Sequence, residues 1–289
     1  MSVLLHLSDL HFGAHDPMVC DAVARLTARL GVRVLVVSGD LTQRATPEEF
    51  EQAHRFLSAL PTEHCLVLPG NHDVPLFAWW ERLGGRAYYR YARWWGDDLE
   101  PVCDADGFVV IGVNTTRWWR HQRGSLSVKQ IDAVAERLSA SRPDAWHVVA
   151  SHHPLVATHP QDRSHRPHRC ERALTRWSAA GAQLLLSGHA HEPGLIEPIT
   201  GLWSAQAGTA VSVRLRSNAP NSLITLERLP SPSGTGDQRW LTRWDYVRDA
   251  GEFLPVGRHD LTSPSILATT PVAELARHSV APSPVASSL

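Results

Sequence analysis

The stretch LLSGHAHEP (185–193) ends an apolar run in a small-residue turn, then sets two histidines, His189 and His191, one residue apart. Two imidazoles at the mouth of a buried strand say little alone, because a lone histidine there is commonly a satisfied structural residue. They gain meaning when other strands end the same way. SVLLHLS (2–8) runs into Asp9 and His11, and VRVLVVS (32–38) runs into Asp40. CLVLP (65–69) is followed by Asn71, His72 and Asp73, and WHVVAS (146–151) by His152 and His153. Open α/β sheets bind ligands outside the carboxyl ends of their strands. Five strands therefore deliver oxygen and nitrogen donors to one edge.

The segments between these strands read as helices. Val19, Val23, Leu26 and Leu30 recur at helical spacing. In TPEEF (46–50), Thr46 is an N-cap, Pro47 the first helical residue and Glu49 the partner of a capping box. Ser127 and Gln130 form a second box at the head of SVKQIDAVAERL (127–138). VRVLVVS is apolar on both faces, as a central parallel strand is, and GFVVIGVN (107–114) and AQLLLS (182–187) are further strands. Residues 76–101 are aromatic-rich and read as helical or irregular. Beyond 200, LWSAQAGTAVSV (202–213), SLITLERL (222–229) and RWLTRWDYV (239–247) read as an antiparallel sheet appended to the α/β part, with PSPSGTGD (230–237) as a hairpin loop. This makes residues 1–261 one domain, with its donor blocks over 9–191 and antiparallel strands over about 200–250, and residues 262–289 a loose Ser/Pro/Ala-rich tail.

Composition narrows the function classes. The chain has 289 residues, 43% hydrophobic and 20% charged, as an ordinary globular protein has. Its net charge of −1 argues against a nucleic-acid polymer or an anionic membrane as partner. The four cysteines, Cys20, Cys65, Cys103 and Cys170, are widely spaced and read as thiols rather than a disulfide framework. The N-terminus has no basic n-region and no stretch is long enough to span a bilayer, so the expectation is a cytoplasmic protein.

Asp9, Asp40, Asn71, His11, His152, His189 and His191 in one crevice need a cation to offset desolvation and mutual repulsion. Nitrogen and oxygen donors without thiolate suit manganese, iron, zinc or cobalt. Seven side chains are too many for one tetrahedral ion but fit two ions that share a carboxylate. Such a pair acidifies a shared water and clamps phosphoryl oxygens, the apparatus for hydrolysing a phosphate ester.

The blocks SDLH, GDLT, GNHD, HHP and GHAH, in this order over 8–191, resemble the signature blocks of the calcineurin-like metallophosphoesterase superfamily. Their spread is similar to the bacterial branch that holds class III cyclic-nucleotide phosphodiesterases and glycerophosphodiesterases. The resemblance implies an α/β fold, a four-layer αββα sandwich of two mixed β-sheets flanked by helices. It implies that Asp9, His11 and His191 hold one metal ion, that Asp40 bridges, and that Asn71, His152 and His189 hold the second. His72 matches the catalytic histidine, which contacts the phosphate or protonates the leaving oxygen, and Asp73 would orient that loop or imidazole. The implied activity is a binuclear-metal phosphodiesterase in which metal-bound hydroxide attacks a small diester, a 3′,5′-cyclic nucleotide being favoured. A phosphomonoesterase or nucleotide hydrolase on the same site is the alternative, and a non-catalytic interaction module of the same fold a distant one. Relatives of this branch are often homodimers, although no segment here marks an interface.

Outside the blocks, several residues are candidates for substrate contact. His153 either touches substrate or buttresses His152. Asn114 and Arg117 follow a strand of the same sheet, where an arginine can pair with phosphate or carboxylate. The loop 156–168, with His159, His165 and His168, is either solvated or a lid. Trp79, Trp80 and Trp118 are candidate walls for a substrate, whereas the other tryptophans read as packing residues and His6 as a core strand residue.

Overall fold

The computed structural model describes residues 2–76, 81, 85–120, 122–216, 219–230 and 237–262. In chain order, β1 (Ser2–Leu7), α1 (Pro17–Leu30), β2 (Val34–Val37), α2 (Pro47–Ala59) and β3 (His64–Val67) alternate strand and helix, and the strands are parallel, β1 pairing β2 and β2 pairing β3 at the sheet edge. Next come α3 (Tyr89–Trp95), β4 (Val102–Ala105), β5 (Phe108–Val113), α4 (Val128–Ala140), β6 (Trp146–Ser151), a 3-10 turn (Pro160–His165), α5 (Cys170–Ala179) and β7 (Leu184–Ser187). The chain ends in β8 (Gly194–Ile199), β9 (Leu202–Gln206), β10 (Ser222–Pro230), β11 (Asp237–Val247) and β12 (Glu252–Asp260). The strands make two six-stranded sheets, β12-β11-β10-β1-β2-β3 and β4-β5-β6-β7-β9-β8.

The helix ends follow the sequence signals. Thr46 and Glu49 close one capping box and Ser127 and Gln130 the other, each by reciprocal bonds to orphan amides at the helix start. The Asp16 side chain accepts from Met18 N–H ahead of Pro17, and Gly31 ends α1 in the left-handed region at φ 60°. Alternation along each strand splits its side chains between two cores. Leu4, Val34, Val36 and Leu66 of one sheet meet Phe108, Val110, Trp146, Val148 and Leu184 of the other. The opposite face of β1 and β2 packs on Val19, Val23 and Leu26 of α1 and Phe50 and Leu57 of α2. The opposite face of the second sheet packs on Ile131 and Val134 of α4 and Trp177 of α5. The result is the expected αββα sandwich, with both central strands buried on both faces as parallel strands require.

One expectation is corrected. The strands beyond 200 are not an appended sheet but complete the two central ones. β10 pairs antiparallel with β1, and β9 pairs parallel with β7. In the segment 202–213 only Leu202–Gln206 is strand, and the remainder turns back over the end of β1 through Ala210 N–H to Ser8 C=O. β4, β8 and β12 carried no readable signal. All three are edge strands, β8 and β12 contain Pro198 and Pro255, and proline is tolerated only where an amide need not enter the ladder. Trp94 and Trp95 pack against the helix-side core, as a packing reading expects. Trp79, Trp80, most of the 230–237 loop and the tail from 263 lie outside the described residues. Among the described residues no helix is long and apolar enough to cross a membrane.

Phe108, fully buried between the sheets, tests the inter-sheet core. Phe108→Ala is expected to lower unfolding free energy by about 3–5 kcal/mol, read from urea midpoints. Met18→Ala, at a residue 68% exposed, is expected to stay within about 0.5 kcal/mol of wild type.

Candidate metal centre

The carboxyl ends of β1, β2, β3, β6 and β7 meet at one edge of the sandwich. The turns that follow them are tied by backbone bonds, Asp9 N–H to Gly39 C=O, His11 N–H to Asp40 C=O and Gly188 N–H to His152 C=O. The backbone at these turns is unusual. Asp9 (φ 54°), His11 (46°), Asp40 (52°), His189 (70°) and His191 (58°) are all left-handed. A side-chain-bearing residue adopts that region at a cost and holds it only where its surroundings over-determine it, commonly at functional sites. Two glycines permit the approach of the loops. A Cβ at Gly70 would collide with the Asp40 backbone nitrogen and carboxylate, and one at Gly188 with Ser8 and the Asp9 carboxylate.

The side chains gather in two groups that share Asp40. Asp9, His11, Asp40 and His191 form one, and Asp40, His152 and His189 the other. The Asp40 carboxylate faces both, with Oδ2 3.7 Å from His11 Nε2 and Oδ1 3.3 Å from His152 Nε2. His191 Nε2 lies 3.3 Å from Asp9 Oδ1 and 3.0 Å from His11 Nε2. Across the shared carboxylate, His152 Nε2 lies 2.9 Å from Asn71 Oδ1 and 3.2 Å from His189 Nδ1. Asp9, His11, His152 and Asp40 are essentially sealed from solvent and Asn71 is buried. The structure thus brings together all seven residues that the strand ends nominated.

Electrostatics explain the protonation states. Burial pushes the His11 imidazole down to about 4 and the His189 imidazole down to about 3, so both rings are neutral lone-pair donors. Burial would raise the Asp9 and Asp40 carboxyls. The imidazoles of His191 and His152 beside Asp9, and of His152, His72 and His11 beside Asp40, outweigh it and hold both below the usual range. His152 moves up to about 9, because Asp40 and Asp9 outweigh its own burial. Neutral imidazole nitrogens 3.0 and 3.2 Å from another ring, backed by two buried carboxylates and an amide oxygen, fit a pair of cations that share Asp40.

The remaining expected site residues divide. His72 lies over the centre, its N–H bonded to Asp40 Oδ1 (2.8 Å), its Nδ1 2.9 Å from the Gln43 carbonyl, and its ring edge-on to His11. Asp73 is fully buried and does not line the cavity over the centre. Its carboxylate accepts from Leu41 N–H, Thr42 N–H, Thr42 Oγ1 and Gly70 N–H, stapling the loop after β2 to the loop after β3. It is a positioning group, not one that meets substrate. His153 is also buried, bonded through Nδ1 to Thr115 Oγ1 and packed on the His152 and His189 rings, so it buttresses the centre.

Asn114 and Arg117 lie apart from these residues. The Asn114 amide oxygen is used by Thr116 N–H and Oγ1, and the Arg117 guanidinium by the Asn114 and Thr116 carbonyls and Gln130 Oε1. Both close the turn into α4, and neither lines the cavity over the centre. That cavity, about 330 Å³, is walled by Gln122, His165, Arg214 and Arg216 above a floor of Asp40, Asn71, His72, His189 and His191. The 3-10 turn of the 156–168 loop therefore does overhang the site, through His165. Arg216 ties it down, donating to Asp162 Oδ1 (2.7 Å) and to the Ala190 carbonyl (2.9 Å). His159 serves this rim from outside, between Asp162 and Glu192, and the backbone of His168 pairs with that of Leu126 and Gly124. Trp118 packs edge-on against the exposed Trp119 and does not line the cavity. Gln122, Arg214 and Arg216 had no signal in the sequence, because they reach the site only when their loops fold back over it.

Comparison with known proteins agrees with this geometry. The fold is similar to a purple acid phosphatase from seeds of yellow lupin (Lupinus luteus), with a TM-score of 0.65 at 11% identity over 89% of this chain. The chain spans about half (53%) the length of that protein. It is also similar to a dimetal phosphatase from Danio rerio (TM-score 0.64, 13% identity, 88% of this chain and 98% of that one). A third similar structure is GAP50, the anchor in the inner membrane complex of Plasmodium (TM-score 0.60, 13% identity, 91% and 89%). No curated protein matches the sequence. The calcineurin-like phosphoesterase family matches residues 2–193, which is two-thirds of the chain and takes in every block of the crevice, so this protein belongs to the calcineurin-like phosphoesterase family.

Proposed function

We propose that this protein is a binuclear-metal phosphodiesterase acting on a small phosphodiester, with a 3′,5′-cyclic nucleotide as the favoured candidate, in the bacterial branch that the motif spread resembles. The observation that carries the hydrolase reading is the Asp40 carboxylate, facing one donor group with each oxygen beneath a cavity that His72 lines. Support for a small substrate comes from the cavity, about 330 Å³, and from a net charge of −1 that offers no general attraction to a polyanion.

Asp9, His11, Asp40 and His191 would hold one metal ion and Asp40, Asn71, His152 and His189 the other. When bound, the ions supply Lewis acidity, polarising phosphoryl oxygens and acidifying water. The chain's own groups set the geometry around them. The Ser38 carbonyl, 2.9 Å from His152 Nδ1, fixes that ring so that Nε2 faces the centre. The Arg214 carbonyl, 3.2 Å from His191 Nδ1, does the same for His191. With His72 Nδ1 committed to the Gln43 carbonyl, its Nε2 is the nitrogen that exchanges a proton with the leaving oxygen. Asp73 keeps the His72 loop against the Asp40 loop, so the proton donor and the shared carboxylate move as one piece.

The deciding experiment is turnover of bis(p-nitrophenyl) phosphate beside p-nitrophenyl phosphate by stripped protein reloaded with Mn²⁺. Preference for the diester is expected. Preference for the monoester would move the assignment to a phosphomonoesterase or nucleotide hydrolase. Two bound metals with no turnover of either ester would favour an interaction module, the role that the likeness to an anchor protein keeps in view.

Asp40→Ala is expected to lose both metal ions and nearly all activity; wild-type metal content by elemental analysis would sink the bridging role. His72→Ala is expected to keep its metals and lose kcat by about 10²–10⁴-fold. An unchanged kcat would reduce His72 to a packing residue.

A further inference from the structure

The wall of the cavity holds two guanidinium groups in different states. Arg216 is engaged, bonded to Asp162 Oδ1 and to the Ala190 carbonyl at the rim. Arg214 is not. Among the described residues its guanidinium makes one bond, from Nη1 to the neutral amide oxygen Gln43 Oε1 at 3.0 Å, and no carboxylate stands within ion-pair distance of it. A cation that faces a cavity and rests on one uncharged acceptor can be taken over by an anionic oxygen, because the anion adds an attraction between opposite charges that an amide oxygen lacks and matches the guanidinium fork.

The place of Arg214 is set independently of its charge. Residues 210–213 are stitched to the loop after β1, with Ala210 N–H on the Ser8 carbonyl, Asp16 N–H on the Val211 carbonyl and Val213 N–H on the Ala14 carbonyl. That leaves the Arg214 carbonyl against His191 Nδ1 while its side chain reaches Gln43, whose own carbonyl holds His72 Nδ1. One residue therefore adjoins both a floor histidine and Gln43, whose loop carries Asp40 and holds the proton-exchanging histidine.

We propose that Arg214 is the anion receptor of this site: its guanidinium exchanges Gln43 Oε1 for an anionic oxygen of the phosphoester. That oxygen belongs either to the scissile phosphoryl group or to an acidic group adjoining it. The inference rests on the phosphoester reading above and deepens it by naming what the cavity wall selects. Arg216 and Asp162 hold the rim in place but keep their own pair.

Mn²⁺-loaded wild type, Arg214→Gln and Arg214→Lys, titrated calorimetrically with inorganic phosphate and with pyrophosphate, test it, with metal content measured on each. Arg214→Gln is expected to bind about tenfold more weakly, with partial recovery in Arg214→Lys and a difference that shrinks as salt is raised. Equal weakening for both anions would assign the bond to the bound phosphoryl group. Weakening for pyrophosphate alone would assign it to the adjoining group. Unchanged affinity for both would overturn the proposal. Gln43→Glu tests it without touching Arg214, by supplying an internal carboxylate; phosphate binding is expected to weaken, and unchanged binding would again overturn it. Because binding is read without turnover, Arg214-dependent phosphate affinity in a protein inert to every ester would remove the hydrolase reading and leave this one standing.

Discussion

Two carboxylates, Asp9 and Asp40, are buried side by side at the edge of this sandwich, with at most 1% of either exposed. A buried ionised carboxylate is tolerated only when positive charge or several donors accompany it. Here the donors are imidazoles from loops that are far apart in sequence. The two sheets must therefore face one another so that five strand ends converge. The loops between must also turn sharply enough for His11, Asp40, His189 and His191 to adopt left-handed backbones. The inter-sheet core of Leu4, Val36, Val110, Val148 and Leu186 then serves a second purpose besides burying apolar surface. It holds in register the strands whose ends carry the charge.

The loops are joined by polar contacts as specific as the core. Asp73 accepts four bonds from the two loops that carry Asp40 and His72. Burial and the neighbouring Asp40 push its carboxyl up to about 6. That displacement reflects burial first and a like charge close by second, and the four donors are what keep the group in place despite both. Gly70 contributes by having no side chain, since any other residue would drive the Asp40 carboxylate from between the donor groups.

What could be read from sequence follows the same division. The floor was legible because each of its residues sits directly after a strand, where residue type and spacing alone place it at the sheet edge. Asp9, Asp40, Asn71, His152 and His189 needed no knowledge of how distant segments pack. The strands beyond 200 were legible as strands but not in their pairing. β10 reaches β1 across more than 200 residues of chain, and local periodicity carries no information on which edge a strand will take. Asn114 and Arg117 illustrate the limit on the other side. They stand at a strand end as the floor residues do, yet Thr116 takes the Asn114 amide oxygen and Gln130 of the α4 capping box takes the Arg117 guanidinium. A strand end is thus not a sufficient position for a floor residue; here neighbouring groups of the turn and of the helix start claim the side chains first.

The wall of the cavity belongs to a different part of the chain from its floor, and this separation has a chemical consequence. The floor comes from strand ends, which the two cores hold rigidly, and it presents the same donors to any phosphoryl group. The wall comes from loops, Gln122 after β5, His165 in the 3-10 turn, Arg214 and Arg216 after β9. Loops can change length and composition without disturbing the cores. Selection among esters therefore falls to residues whose place depends on tertiary folding, and among these the engaged and the available cation differ by one partner. Asp162 is buried and neutralises Arg216, so its pair stays closed; Gln43 carries no charge, so Arg214 retains its own. With an aspartate at one partner position and a glutamine at the other, Arg216 is paired, whereas among the described residues Arg214 has no carboxylate within ion-pair distance.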